Sequence, residues 1–102
     1  MKIELLYFDG CPSWETGLKN LESALQEEGI TASIHMIKVN DEEEAAQQKF
    51  LGSPSFRVDG RDLWHEEREV YSLSCRVYVT PEGIKGYPTV DMLRDRLHSL
   101  AD

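Results

Sequence analysis

Residues Ile3 to Phe8 form a short, nearly continuous apolar run, and Ile30 to Val39 form a second β-prone stretch with Ile34, Ile37 and Val39 as its apolar content. Between them Trp14, Leu18, Leu21 and Leu25 recur at spacings of four, three and four, which is one stripe of a helix. Ala24 widens that stripe, and Glu15, Lys19, Glu22 and Glu27 take the other faces. A strand, a helix and a second strand in so short a length make a βαβ unit, so the two strands are expected to run parallel. The continuous apolar character of Ile3–Phe8 suits a central strand covered on both faces. This unit restricts the chain to an α/β architecture. With 102 residues, 40% of them hydrophobic, one core and one domain, 1–102, are expected.

The remaining elements follow from local signals. Asn40 reads as a helix cap with Glu43 completing a capping box, and Asp41 to Glu44 fill the first turn, where the helix dipole favours acids. That short helix is expected to end at Gly52. Ser55 to Val58 is a third strand, closed by the turn Asp59-Gly60. Arg61 to Leu73 could begin as a hairpin partner through Leu63, but His65 to Glu69 is highly charged, and the stretch is read instead as an exposed insertion with room for a helical turn. Cys75 to Val79 alternates and is β-prone, so it is read as the fourth strand. Thr89 caps a last helix carrying Val90, Leu93, Leu97 and Leu100.

Charge and hydropathy narrow the partners. The net charge of −8 argues against nucleic acid, whose phosphates would be repelled, and no local basic patch offsets it. No apolar run approaches the roughly 20 residues that a membrane span needs, so no membrane is expected. The start of the chain does not read as a secretory signal, and two cysteines do not make a disulfide framework. A reducing cytoplasm is the expected compartment. His35, His65 and His98 show no metal-ligand spacing with one another or with the cysteines, and neither a metal nor another cofactor is expected.

The chemistry-bearing stretch is Asp9-Gly10-Cys11-Pro12-Ser13-Trp14, at the seam between the first strand and the first helix. The first N–H groups of a helix are unpaired and carry partial positive charge. A thiolate placed there is stabilised, and its pKa falls below the free value of about 8.5. Pro12 suits the first helical position, where its missing N–H costs nothing. Asp9 and Glu15 lie close in sequence and oppose the shift, so moderate activation is expected. The plain alternative is a small residue tolerated at the start of a helix. For Cys75 the expectation is a buried strand cysteine.

The order β-α-β-α-β-β-α, with Cys11-Pro12 after the first strand and Ser53-Pro54 before the third, resembles the thioredoxin superfamily along essentially the whole chain. The stretches Phe8-Asp9-Gly10-Cys11-Pro12 and Leu73-Ser74-Cys75-Arg76-Val77-Tyr78 resemble short bacterial members, some of which carry an alkylmercury-lyase label. The resemblance implies a four-stranded mixed sheet with helices on both faces. It implies that Cys11 is the reactive cysteine and Pro54 a cis-proline. Pro12, Trp14, Ser53 and Pro54 would then line the substrate site, with the Ser53 backbone pairing to an extended peptide. Trp14 stands where the family has its second cysteine, so a single-cysteine redox protein working on a protein or small thiol or disulfide is expected. A binding module that has lost the chemistry is one alternative. Soft-metal or organomercurial handling by Cys11 and Cys75, with Asp9, is another. In the implied topology Cys75 opens a strand at the far end of the sheet. A five-residue strand spans about 17 Å, whereas bridged Cα atoms lie within about 7 Å. A Cys11–Cys75 disulfide is therefore disfavoured unless the insertion reroutes the chain.

Overall fold

A computed structural model describes residues 1–101. A four-stranded mixed sheet carries the fold, in the order β2 (Ile34–Lys38), β1 (Ile3–Tyr7), β3 (Ser55–Val58), β4 (Arg61–Asp62). β1 pairs parallel with β2 and antiparallel with β3, and β3 pairs antiparallel with β4. α1 (Ser13–Glu27) is the crossover between the two parallel strands. α2 (Glu42–Gln48) links β2 to β3, and α3 (Val90–Ala101) closes the described chain.

Alternation along β1 divides the core in two. Ile3 and Leu5 face a cluster with Leu21, Ala24 and Leu25 of α1, Leu93 and Leu97 of α3, and Phe56 and Val58 of β3. Leu6 faces the opposite cluster with Val39, Ala45 and Phe50, on the α2 side. The apolar stripe of α1 is thus the face that reaches the sheet. Gly17 lets it come close: a Cβ there would lie 3.0 Å from Pro54 Cγ and 3.2 Å from Phe56 Cζ. α1 therefore lies directly over the loop that carries Pro54.

Several boundaries differ from the sequence expectations. α1 starts at Ser13, with Pro12 as its cap residue, one residue later than expected. The cap of α2 is Asp41, which accepts from the Glu44 N–H at 2.8 Å, while the Glu44 carboxylate accepts from the Asn40 N–H at 2.8 Å. The box is displaced by one residue from Asn40 and Glu43. α2 ends at Gln48, before Gly52, because Lys49 turns left-handed at φ 52°. Thr89 does cap α3, accepting from the Met92 N–H at 3.1 Å.

The larger correction concerns the fourth strand. Cys75–Val79 does not join the main sheet. Its later part forms β5 (Tyr78–Thr80), which pairs with β6 (Gly83–Lys85) in a separate two-stranded sheet. The main sheet's fourth strand is Arg61–Asp62, directly across the Asp59-Gly60 turn. The alternation in 75–79 is real: Arg76 and Tyr78 are buried while Val77 and Val79 are exposed. Alternation fixes which side chains face inward, and it carries no information about which strand is the neighbour.

Candidate functional site

The early return of the chain brings the site together. β4 and Leu63 run back along β3, with the Leu63 N–H donating to Phe56 O at 2.9 Å. The loop from Trp64 to Ser74 therefore starts from the end of the sheet where β1 delivers Cys11. Cys75 arrives beside Ser53 in an isolated parallel bridge. The Ser53 N–H donates to Ser74 O at 2.8 Å, and the Arg76 N–H donates to Ser53 O at 2.9 Å. Cys11 and Cys75 are joined in a disulfide, with Cα atoms 5.8 Å apart. The expectation against this pairing is overturned, because the return leg of the hairpin is Arg61–Leu63 and not Cys75–Val79. The expectation of a buried Cys75 is overturned too: Cys75 is exposed, and Cys11 is the buried partner at 2% exposure.

Arg76 holds Cys75 in register. Its side chain is 5% exposed, as is that of Asp62, and Nη1 reaches both Asp62 carboxylate oxygens at 3.0 and 2.9 Å. Nη1 also donates to Ser55 Oγ at 3.3 Å, and Nη2 donates to the Trp64 carbonyl. A buried guanidinium needs partners of this kind, since an unpaired charge in the interior is strongly unfavourable. Gly52 completes the seat. Its φ is +114°, and a Cβ there would lie 2.8 Å from Arg76 Cβ and 3.1 Å from Arg76 Cα. Only a residue without a side chain lets the two backbones approach this closely.

The Ser53–Pro54 bond is cis. Ser53 is fully buried, and its Oγ accepts from the Phe8 N–H at 3.3 Å. Its carbonyl oxygen lies 3.7 Å from Cys11 Sγ. The Tyr78 hydroxyl donates to Pro54 O at 2.6 Å, and burial pushes its phenol well above the ordinary tyrosine range. Cys11, Ser53 and Pro54 are thus brought together, and Cys75 joins them. Pro12 is exposed at the head of α1. Trp14 is half-buried, its ring 4.4 Å from that of Tyr7, so part of its surface is spent on packing.

No side chain caps α1. Its first N–H groups therefore supply partial positive charge near Cys11, unbonded by any capping side chain, while Glu15 in the same turn opposes it. The opposing charge of Asp9 is largely answered by Lys38, whose Nζ lies 2.6 Å from the carboxylate. The same contact raises the Lys38 pKa above its ordinary value. Two surface clefts of about 720 and 780 Å³ lie elsewhere, and the residues lining them do not include Cys11, Cys75, Ser53 or Pro54. Exchange between sulfurs needs an accessible sulfur rather than an enclosed cavity. No group of three or more His, Cys, Asp or Glu side chains placed to hold a metal ion occurs among the described residues. No helix among them is long and apolar enough to cross a membrane.

Cys75 is the candidate site residue that the sequence by itself did not place at the site. One signal was available. An arginine at an inward position of an alternating run needs a buried partner, and Asp62 beside the hairpin turn was one of several acids upstream, with Glu66, Glu67 and Glu69.

Comparison with known proteins does not add a relative: no family model, no curated protein and no solved structure matches the chain.

Proposed function

We propose that the chain is a thioredoxin-like thiol–disulfide exchange protein whose working pair is Cys11 and Cys75. The observation that carries this reading is the disulfide between a cysteine at the head of α1 and a cysteine clipped beside Ser53–Pro54. Sheet order and connectivity support the resemblance: a parallel βαβ unit followed by an antiparallel hairpin, with helices on both faces. The single-cysteine mechanism expected from Trp14 is replaced by a two-cysteine one. The resolving sulfur comes from far along the chain rather than from the first turn of α1.

A disulfide that stays oxidised in a reducing cytoplasm would be unusual, and pairs found there are mostly transient or catalytic. In that compartment, expected from the cysteine count, the pair would cycle against a protein thiol or a small thiol. The test is thiol counting across a series of glutathione redox buffers. The expected result is a reversible change between no free thiols and two, with a midpoint inside the range of glutathione ratios. A pair that remains oxidised in excess reductant points instead to the non-catalytic binding module, with the disulfide as a staple.

One observation favours a second reading. Reduced, Cys11 and Cys75 present two thiols from Cα atoms 5.8 Å apart. Two soft thiolates at that separation suit a soft cation or an organomercurial. Asp9, the third residue of that reading, pairs with Lys38 at the surface. Protection of both thiols from alkylation by one equivalent of mercuric ion would support it.

A further inference from the structure

We propose that Cys75, not Cys11, is the sulfur that an incoming thiolate attacks, and that Cys11 is the sulfur it expels. This rests on the exchange reading above and assigns an order to it. A thiolate can attack either sulfur of a disulfide, and the choice depends on access and on which sulfur leaves better.

Access favours Cys75. Cys11 is 2% exposed, whereas Cys75 is exposed on a stretch whose alternate residues Val77 and Val79 are also open, at 66% and 79%. The route along the Ser53 backbone is closed as well. A partner peptide lying beside Cys11 would need the Ser53 N–H and C=O, and both already bond to Ser74 and Arg76. The chain's own 74–76 segment occupies the Ser53 backbone.

Leaving ability favours expulsion of Cys11. It sits at the uncapped head of α1, where partial positive charge stabilises a departing thiolate.

The steps balance as follows. A thiolate RS⁻ attacks Cys75 Sγ; the R–S–S–Cys75 bond forms, the Cys75–Cys11 bond breaks, and Cys11 leaves with the electron pair. A second thiolate attacks the sulfur of R and frees Cys75. Two external thiols are oxidised to one disulfide, and the protein pair is reduced to a dithiol. In reverse, Cys75 thiolate attacks an external disulfide RSSR and expels one RS⁻, and Cys11 thiolate then attacks Cys75 Sγ, closing the pair and expelling the second RS⁻.

The test uses Cys11→Ser and Cys75→Ser with hydroxyethyl disulfide, a neutral probe that the net charge of −8 neither attracts nor repels. Cys11→Ser should take up the hydroxyethylthiol adduct at least about tenfold faster than Cys75→Ser, as the difference in access requires. Equal rates, or faster reaction of Cys75→Ser, overturn the proposal. Because each variant also loses the cross-link, the wild-type chain gives a second readout. Oxidised protein is exposed briefly to mercaptoethanol, quenched in acid and digested; cleavage after Arg68 and Arg76 isolates Cys75 in its own peptide, 69–76. The adduct should be on that peptide, with Cys11 as the free thiol, and an adduct on Cys11 overturns the order. A wild-type pair that neither opens in excess dithiothreitol nor re-forms would sink the exchange reading itself; a pair that cycles with the adduct on Cys11 sinks only the order.

Discussion

Opening the Cys11–Cys75 bond should remove a large part of the stability of the fold. The bond closes a loop across a sequence separation of 64 residues. Cross-linking a chain over that length takes about 14 to 15 cal/mol/K of entropy from the unfolded ensemble, or about 4 kcal/mol at 25 °C. A domain of this size is commonly stable by only about 5–15 kcal/mol. The reduced protein should still fold, because the Ser53 backbone bonds and the Arg76–Asp62 pair do not depend on the sulfur bond. Urea titrations of oxidised protein, reduced protein and Cys75→Ala provide the assay. Oxidised protein should be the most stable by about 4 kcal/mol. Its m-value should also be lower, since a cross-linked unfolded chain exposes less surface. Reduced protein and Cys75→Ala should agree closely, and added reductant should not change the variant. Oxidised and reduced protein agreeing within about 1 kcal/mol would refute the reasoning: a closure this long could not then be constraining the unfolded chain.

The other expected outcomes concern what seats the pair and what holds α1 to α3. Asp62→Ala leaves the Arg76 guanidinium buried without its carboxylate and should cost about 3–5 kcal/mol in denaturant titration, whereas the double change Asp62→Leu with Arg76→Met should recover much of it. Gly52→Ala places a Cβ against the Arg76 backbone at a φ that disfavours it, so a loss of about 1–3 kcal/mol is expected, together with slower re-formation of the disulfide after reduction. The Arg94 guanidinium beside Glu28 holds that carboxyl below its ordinary range, and His98 adds to the effect. The folded pKa is depressed, so this contribution to stability is present above the ordinary glutamate pKa and fades as pH falls through the depressed value. Proton titration of Glu28 by NMR should show the depression, and Arg94→Ala should return the group toward its ordinary value.

How much could be read in advance differs from element to element. The stripe Trp14, Leu18, Leu21, Leu25 placed α1, and the runs at Ile3–Phe8 and Ile30–Val39 placed the two parallel strands, the second of which begins only at Ile34, because each signal lies within one element. Cap and turn residues placed α2, α3 and the Asp59-Gly60 corner to within a few residues. The site was legible in half. Cys11 at a strand-to-helix seam is a local statement, and the structure keeps it there, at the head of α1.

The other half depended on distance through space. Periodicity shows that Arg76 and Tyr78 turn inward, but not what they meet. The meeting is decided where the chain turns at Asp59-Gly60, returns through Arg61–Leu63, and must bury Arg76 against Asp62. That requirement draws Cys75 across to Ser53 and onto Cys11. The sequence by itself therefore determined the three helices, the first three strands and one sulfur, because hydrophobic period and helix-end chemistry act over a few residues. Only the tertiary structure decided the second sulfur, because a buried ion pair and a backbone bridge between residues far apart in the chain exist only once the chain has closed.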